Sequence, residues 1–155
     1  MISQRAKYAL RALLALASCE APTGFTIGHI ASAQKIPRKF LEQILLQLKY
    51  AGFVASRRGK LGGYGLGKPA ADITFGEVLR LIDGPLAPLP CLSKIAYRRC
   101  TDCPDEGTCE LRRVFSHVAQ SARAVLDRTS LADAAANPAG GAGERSDLER
   151  LAIDA

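Results

Sequence analysis

Apolar residues recur along most of this chain at steps of three and four, the spacing of a helix face, and only one short stretch departs from it. The first helix is predicted over residues 3–18, with Ser3 as its cap and Tyr8, Leu10, Leu13, Leu14 and Leu16 facing a core. After a loop marked by Pro22 and Gly24, Thr26 caps a short second helix carrying Ile27, Ile30 and Ala31. The third helix, over 37–51, places Phe40, Leu41, Ile44, Leu45 and Leu48 on one face, with Arg38, Lys39, Glu42, Gln43 and Lys49 mainly on the other. Pro37 suits its first turn and Gly52 its left-handed end.

The pattern then changes. Phe53, Val54 and Ala55 form a β-like run, a glycine-bearing turn follows (Gly59, Gly62, Gly63), and Tyr64 and Leu66 return. Helix periodicity resumes after the connector Lys68–Asp72. Thr74 and Glu77 make a capping box, Ile73 can staple onto Val78, and Gly84 with Pro85 ends the fourth helix. Its apolar residues Val78, Leu79, Leu81 and Ile82 should close the core. From Glu110 onward Leu111, Val114, Phe115, Val118, Ala122, Val125 and Leu126 predict a long amphipathic helix.

Two helices joined by a tight turn, the second of them basic, make a helix-turn-helix, and the hairpin adds a wing. The expected fold is therefore mainly α with a small β-hairpin: a winged helix-turn-helix followed by a long C-terminal dimerisation helix. Residues 1–84 form the DNA-binding domain, 85–109 a cysteine-bearing sensor loop, 110–132 the dimerisation helix and 133–155 a flexible tail, within which a short helix over 148–153 could form. The long helix has no obvious partner in so small a domain, so self-pairing about a twofold axis is its natural use. The alternative is folding back on the first helix. His29, alone in the second helix, is an ordinary surface or core residue.

Charge sharpens the picture. Between Gln34 and Lys68 stand eight cations (residues 35, 38, 39, 49, 57, 58, 60 and 68) and one acid, Glu42, a local balance of +7 against +6 for the whole 155-residue chain. Concentration of the excess charge on one helix and its hairpin is the footprint of a duplex-binding element. The residues expected to touch DNA are Arg38, Lys39, Glu42, Gln43, Arg57, Arg58, Lys60 and Tyr64.

A hydrophobic content of 48% is ample for a core and excludes a disordered chain. Arg5, Lys7 and Arg11 followed by LLALASC superficially resemble a lipoprotein signal ending before Cys19, but Arg11 cuts the apolar segment short. No stretch approaches the ~20 apolar residues of a membrane span. Five cysteines, an odd number with four of them between Cys91 and Cys109, fit a reduced cytoplasmic setting with a metal or redox site.

Those four, Cys91, Cys100, Cys103 and Cys109, are soft ligands whose clustering suits an iron–sulfur cluster or zinc. Cys100 and Cys103 alone have the spacing of a redox pair, without the βαβ context of a thioredoxin-like one. Arg98 and Arg99 beside Cys100 would favour its thiolate. No nucleophile has a neighbouring base, and the chain holds only His29 and His117, so an enzyme is not expected.

The opening AKYALRALLALA, IPRKFLEQILLQLK, the wing RRGKLGGYGLGKP, ITFGEVLRLIDG and the trailing cysteines together resemble the IscR/NsrR/RirA-type (Rrf-two) family of winged-helix transcription regulators, over roughly residues 1–133. The resemblance implies a homodimer on a double-stranded DNA operator, many members holding an iron–sulfur cluster through three cysteines and a variable fourth ligand. It implies that Glu42 and Gln43 are the base-reading pair and that Arg58 is the wing arginine of the minor groove. Cys91 is placed like the first cluster cysteine, and Cys103 and Cys109 match the last two. Cys100 is extra and is the substitute for the fourth ligand. Arg112 stands where one branch has a ligand histidine, and Lys7 where another has a ligand acid.

The expected function is a homodimeric regulator, a repressor, sensing iron, iron–sulfur or redox status through a cluster of the 2Fe–2S or 4Fe–4S type. The alternatives are a zinc-bound or clusterless thiol-sensing regulator and, from another class, a small iron–sulfur redox protein.

Overall fold

A computed structural model describes residues 2–19, 24–57, 59 and 62–136 of the chain. Its helices are α1 (Gln4–Ala17), α2 (Ile27–Gln34), α3 (Arg38–Tyr50), α4 (Phe75–Asp83), α5 (Glu110–Arg128) and α6 (Leu131–Ala136), and strands β1 (Val54–Arg57) and β2 (Gly63–Leu66) form the hairpin. Short 3-10 turns lie at Ala70–Asp72 and Pro90–Leu92. This is the mainly helical winged architecture that the periodicity predicts.

Local chemistry accounts for the boundaries. The Ser3 hydroxyl accepts from the Ala6 amide at 3.0 Å, so α1 starts where an oxygen can satisfy an orphan N–H. Thr26 does the same for α2, whose last turn gives way to Lys35 in the left-handed region at φ 51°. Gly52, at φ 79°, turns the chain out of α3 into β1, a conformation that glycine adopts without steric cost. At α4 the reciprocal capping box is complete: Thr74 accepts from the Glu77 amide while Glu77 accepts from the Thr74 amide. The strands pair antiparallel with Val54 opposite Leu66 and Arg57 opposite Gly63. Tyr64 also exchanges two backbone hydrogen bonds with Phe25, at 2.8 and 2.9 Å, so the wing is anchored to the segment before α2.

One core joins these elements. Leu13 of α1, Ile30 of α2, Leu41, Ile44, Leu45 and Leu48 of α3, and Val78 and Leu79 of α4 are fully buried or nearly so. The α1 segment, whose composition mimics a signal sequence, is a central helix with Ala6, Ala9, Ala12 and Leu13 completely buried. Among the described residues no helix is long and apolar enough to cross a membrane. Phe40 departs from expectation: it sits at the edge of the α3 stripe, 40% exposed, with its ring edge-on to Tyr8 at 5.8 Å.

The end of the chain differs more. Asp133, taken as the first residue of a flexible tail, lies inside α6, and Leu131 beside it is fully buried. After α5 the chain returns to α4. The Phe75 amide donates to the Thr129 carbonyl at 3.0 Å and the Leu131 amide to the Ile73 carbonyl at 2.9 Å. These bonds satisfy backbone groups at the start of α4 and α6 that would otherwise be orphaned. The expected tail is thus shortened at its front by residues 133–136. Its remainder, with the helix expected over 148–153, lies outside the described residues.

It is α6, then, that packs on α1, while α5 leans on α4 and on the Pro90–Leu92 turn. A close approach fixes that lean. A Cβ at Gly76 would stand 1.9 Å from an Asp127 carboxylate oxygen, and Asp127 itself accepts from Arg80 at 2.7 Å.

Candidate DNA-reading surface and thiol site

The buried stripe of α3 leaves Arg38, Lys39, Glu42 and Gln43 exposed together at its N-terminal half. Arg38 pairs with Glu42 at 3.3 Å, one turn on, with both side chains largely in water. Such a pair contributes a few tenths of a kcal/mol, so Arg38 can be diverted to a phosphate or a base, and Glu42 to a base amino group, at little cost. Lys49, near the other end of α3, donates to the Ser56 hydroxyl at 2.7 Å and thereby ties the helix to the wing. Arg57 is exposed at the end of β1. Tyr64 stands apart from the other candidates, half-buried and packed against the core. Arg58 and Lys60 lie outside the described residues.

The four clustered cysteines line one cavity of about 400 Å³, together with Arg98, Arg99 and Arg112. Cys91 is buried in the Pro90–Leu92 turn, Cys100 is exposed, and Cys103 and Cys109 are half-buried. Cys19 stays apart, at the end of α1. Cys109 is the N-cap of α5, and its sulfur accepts from the Arg112 amide at 3.5 Å. That hydrogen bond, reinforced by one from Cys103, holds the Cys109 thiol below its ordinary range, as expected for sulfur at a helix N-terminus. The same Cys103–Cys109 contact pushes the Cys103 thiol up, because its proton is held between sulfurs. That single proton has a second acceptor in reach, the Asp105 carbonyl at 3.3 Å.

Arg112 is the residue that sequence reasoning passed over as a mere absence of histidine. Its guanidinium donates to the Cys91 carbonyl at 3.4 Å, and its Nε stands 3.5 Å from Glu106 Oε2. That Nε is buried and lacks a well-formed hydrogen bond. Glu106 in turn accepts from the Tyr97 hydroxyl at 2.8 Å. The donor set suits a thiolate-ligated cluster: soft sulfurs around one cavity, with buried N–H and cationic groups in its wall to offset their charge. Among the described residues no three His, Cys, Asp or Glu side chains are arranged to hold a single ion.

Away from the cavity α5 presents Val114, Val118 and Val125, all exposed, while Leu111, also exposed, borders the cavity itself. Only Ala119 of this helix is fully buried.

Comparison with known proteins agrees with this architecture. The Rrf2 family, described as iron-dependent transcriptional regulators, matches residues 2–137. An rrf2-like HTH-type transcriptional regulator of Rhodobacter capsulatus is 50% identical over 144 residues, covering 90% of this chain and 96% of its own. An HTH-type transcriptional regulator of Mycobacterium tuberculosis is 39% identical over 135 residues, 86% of this chain and 80% of its own. Among solved structures, CymR, the global cysteine regulator of B. subtilis, superposes with a TM-score of 0.74 at 29% identity, covering 88% of this chain and 96% of that one. T. potens IscR does so with a TM-score of 0.69 at 27% identity, covering 92% of each. With its winged helix-turn-helix, its basic reading helix and relatives that are transcription regulators rather than enzymes, this chain belongs to the Rrf2 family of DNA-binding transcription regulators.

Proposed function

We propose that this regulator is a homodimer, acting as a repressor on a near-palindromic operator, whose DNA binding is set by an iron–sulfur cluster at the thiol site. The observation that carries the reading is the convergence of Cys91, Cys100, Cys103 and Cys109 on one cavity at the root of α5. Cys91, Cys103 and Cys109 would hold the cluster and Cys100 would complete the set. When bound, the cluster would supply a cross-link between the Cys91 turn and α5 that oxygen or iron shortage can remove.

The protein's own residues give that link a consequence. One face of α5 rests on the Cys91 turn and on α4, which continues the reading domain; the other is the exposed apolar row from Val114 to Val125. Joining two copies along that row would remove it from water and fix the spacing of two α3 helices. A change at the root of α5 then alters how well both helices fit one operator, a coupling between two sites through one rigid element. The base-reading pair would be Glu42 and Gln43, with Arg38, Lys39, Arg57, Arg58 and Lys60 on phosphates or the minor groove. Tyr64 would act from the base of the wing.

A second reading, clusterless thiol sensing, is favoured by one observation: the Cys109 thiol is held low at a helix N-terminus, in contact with Cys103. A zinc site would require the sulfurs to close on one point. Purification without oxygen, with visible absorption and iron, sulfide and zinc analyses, separates the three. Stoichiometric iron and sulfide with thiolate-to-iron bands support the cluster; metal-free protein that loses operator affinity on oxidation supports thiol sensing.

A further inference from the structure

Arg112 and Arg123 stand eleven residues apart on α5, about three helical turns, and therefore share a face. Between them lies Ala119, the buried residue of the helix, whose small side chain lets another segment approach. That segment is the Pro90–Leu92 turn. Arg112 donates to the Cys91 carbonyl at 3.4 Å and Arg123 to the Leu92 carbonyl at 2.8 Å, so consecutive carbonyls are gripped from opposite ends of the helix face. Backbone carbonyls of a one-turn 3-10 segment have few internal partners, and a guanidinium with several fixed donors suits them.

We propose that Arg112 and Arg123 are positioning residues of the thiol site, a two-point clamp that seats the Cys91 turn on α5 before any cluster is present. The two are not equivalent. Arg112 also lines the cysteine cavity and reaches Glu106, whereas Arg123 lies on the neighbouring cavity, which Lys94 and Asp127 also line. Arg112 therefore adds a fixed positive charge to the wall around the sulfurs, and Arg123 acts on the backbone alone. The meaning of the clamp rests on the thiol-site reading above, but its existence does not.

The test uses the full-length, metal-free, reduced protein and a small alkylating reagent, with labelling of each cysteine followed by peptide mass analysis. Cys91, 8% exposed, should react slowly in the wild type. Arg123→Gln and Arg112→Gln should each speed its labelling about tenfold, the scale expected when one part-buried hydrogen bond to a charged group is lost. Cys19, at the far end of α1, should be unchanged in both. Arg112→Lys keeps the charge but loses the planar fork, so it should restore little of the protection. Unchanged Cys91 labelling in both glutamine variants would overturn the clamp, and so would an equal rise at Cys19, which would mark general loosening. Where a cluster can be loaded, Arg112→Gln should lower its reduction potential and Arg123→Gln should not, since only the former removes charge from the cavity wall. Absence of any cluster leaves the labelling result standing by itself.

Discussion

Arg80 of α4 donates to Asp127 of α5 at 2.7 Å, and this contact, over the close approach at Gly76, fixes where the long helix leaves the DNA-binding core. Both side chains are partly in water, so the pair itself should contribute under ~1 kcal/mol. Asp127→Ala is accordingly expected to shift the urea midpoint only slightly. Its effect on operator affinity should be larger than its effect on stability, because it frees the angle of α5. Fluorescence anisotropy beside a denaturation curve checks both; a large stability loss with unchanged affinity contradicts the assignment.

On the reading surface, Gln43→Ala should flatten preference at one base-pair position in the major groove, by ~1–3 kcal/mol for a good contact. Arg58→Ala should weaken binding across sequences, reduce preference for a narrow A/T-rich minor groove, and lower the salt slope by about one. Titrations of operator variants at several salt concentrations separate the two behaviours.

Acid should act on the start of α4. The Thr74 amide, donating to Glu77, holds that carboxyl below its ordinary value of 4.5, with Lys68 at 3.5 Å adding to the effect. A depressed carboxyl lends stability that is fully present above 4.5 and is lost as pH falls through the folded value. Glu77→Gln should therefore lower stability at neutral pH and flatten its pH dependence below that point. Thr74→Ala, which removes the other half of the box, should cost about 1 kcal/mol. Denaturation midpoints between neutral and acid pH give the comparison.

Much of this was legible in the residues themselves, for identifiable reasons. Ser3, Thr26 and the Thr74–Glu77 box mark helix starts because an oxygen beside orphan amides is a local requirement, independent of tertiary structure. The apolar stripe of α3 survived because four of its five residues share one narrow face. What escaped was settled by long-range packing. Residues 133–136 read as the start of a low-complexity tail and 131–132 as the end of the long helix, and only the return of the chain to Ile73 makes 131–136 a separate helix. A signal was present nonetheless: Ser130 and Asp133 have the spacing of a capping box, and the Ser130 hydroxyl does accept from the Asp133 amide at 3.1 Å. The grip of Arg112 and Arg123 on two carbonyls had no comparable signal, since backbone acceptors carry no sequence identity.

The proposed dimer would pair along the exposed apolar row of α5. Val118, at its middle, is 53% exposed within one chain, a poor place for a valine unless a second copy covers it. Val118→Asp should be nearly neutral for folding of the single chain, yet it would bury an unpaired charge in a paired one, at several kcal/mol. Sedimentation at micromolar concentration should show a monomer. An intact dimer would mean that the pairing surface lies elsewhere.

The cysteines allow a graded test, because one substitution is unusually clean. Cys109 is both a candidate ligand and the N-cap of α5, and serine is a better cap than cysteine. Cys109→Ser should therefore keep α5 folded while putting a harder oxygen where iron wants sulfur. Far-ultraviolet circular dichroism should be unchanged and the visible bands of the anaerobic protein lost. Cys91→Ser and Cys103→Ser should also lose the bands, though Cys91 is buried and its replacement can disturb packing as well. Cys100 is exposed on the cavity rim, so its replacement separates two roles. As fourth ligand, its loss leaves an iron with an open position and bands that fade quickly in air; as a bystander, it leaves both the spectrum and its decay as in the wild type. Retention of a stable cluster in Cys109→Ser would remove the three-cysteine assignment outright, whatever Cys100 does.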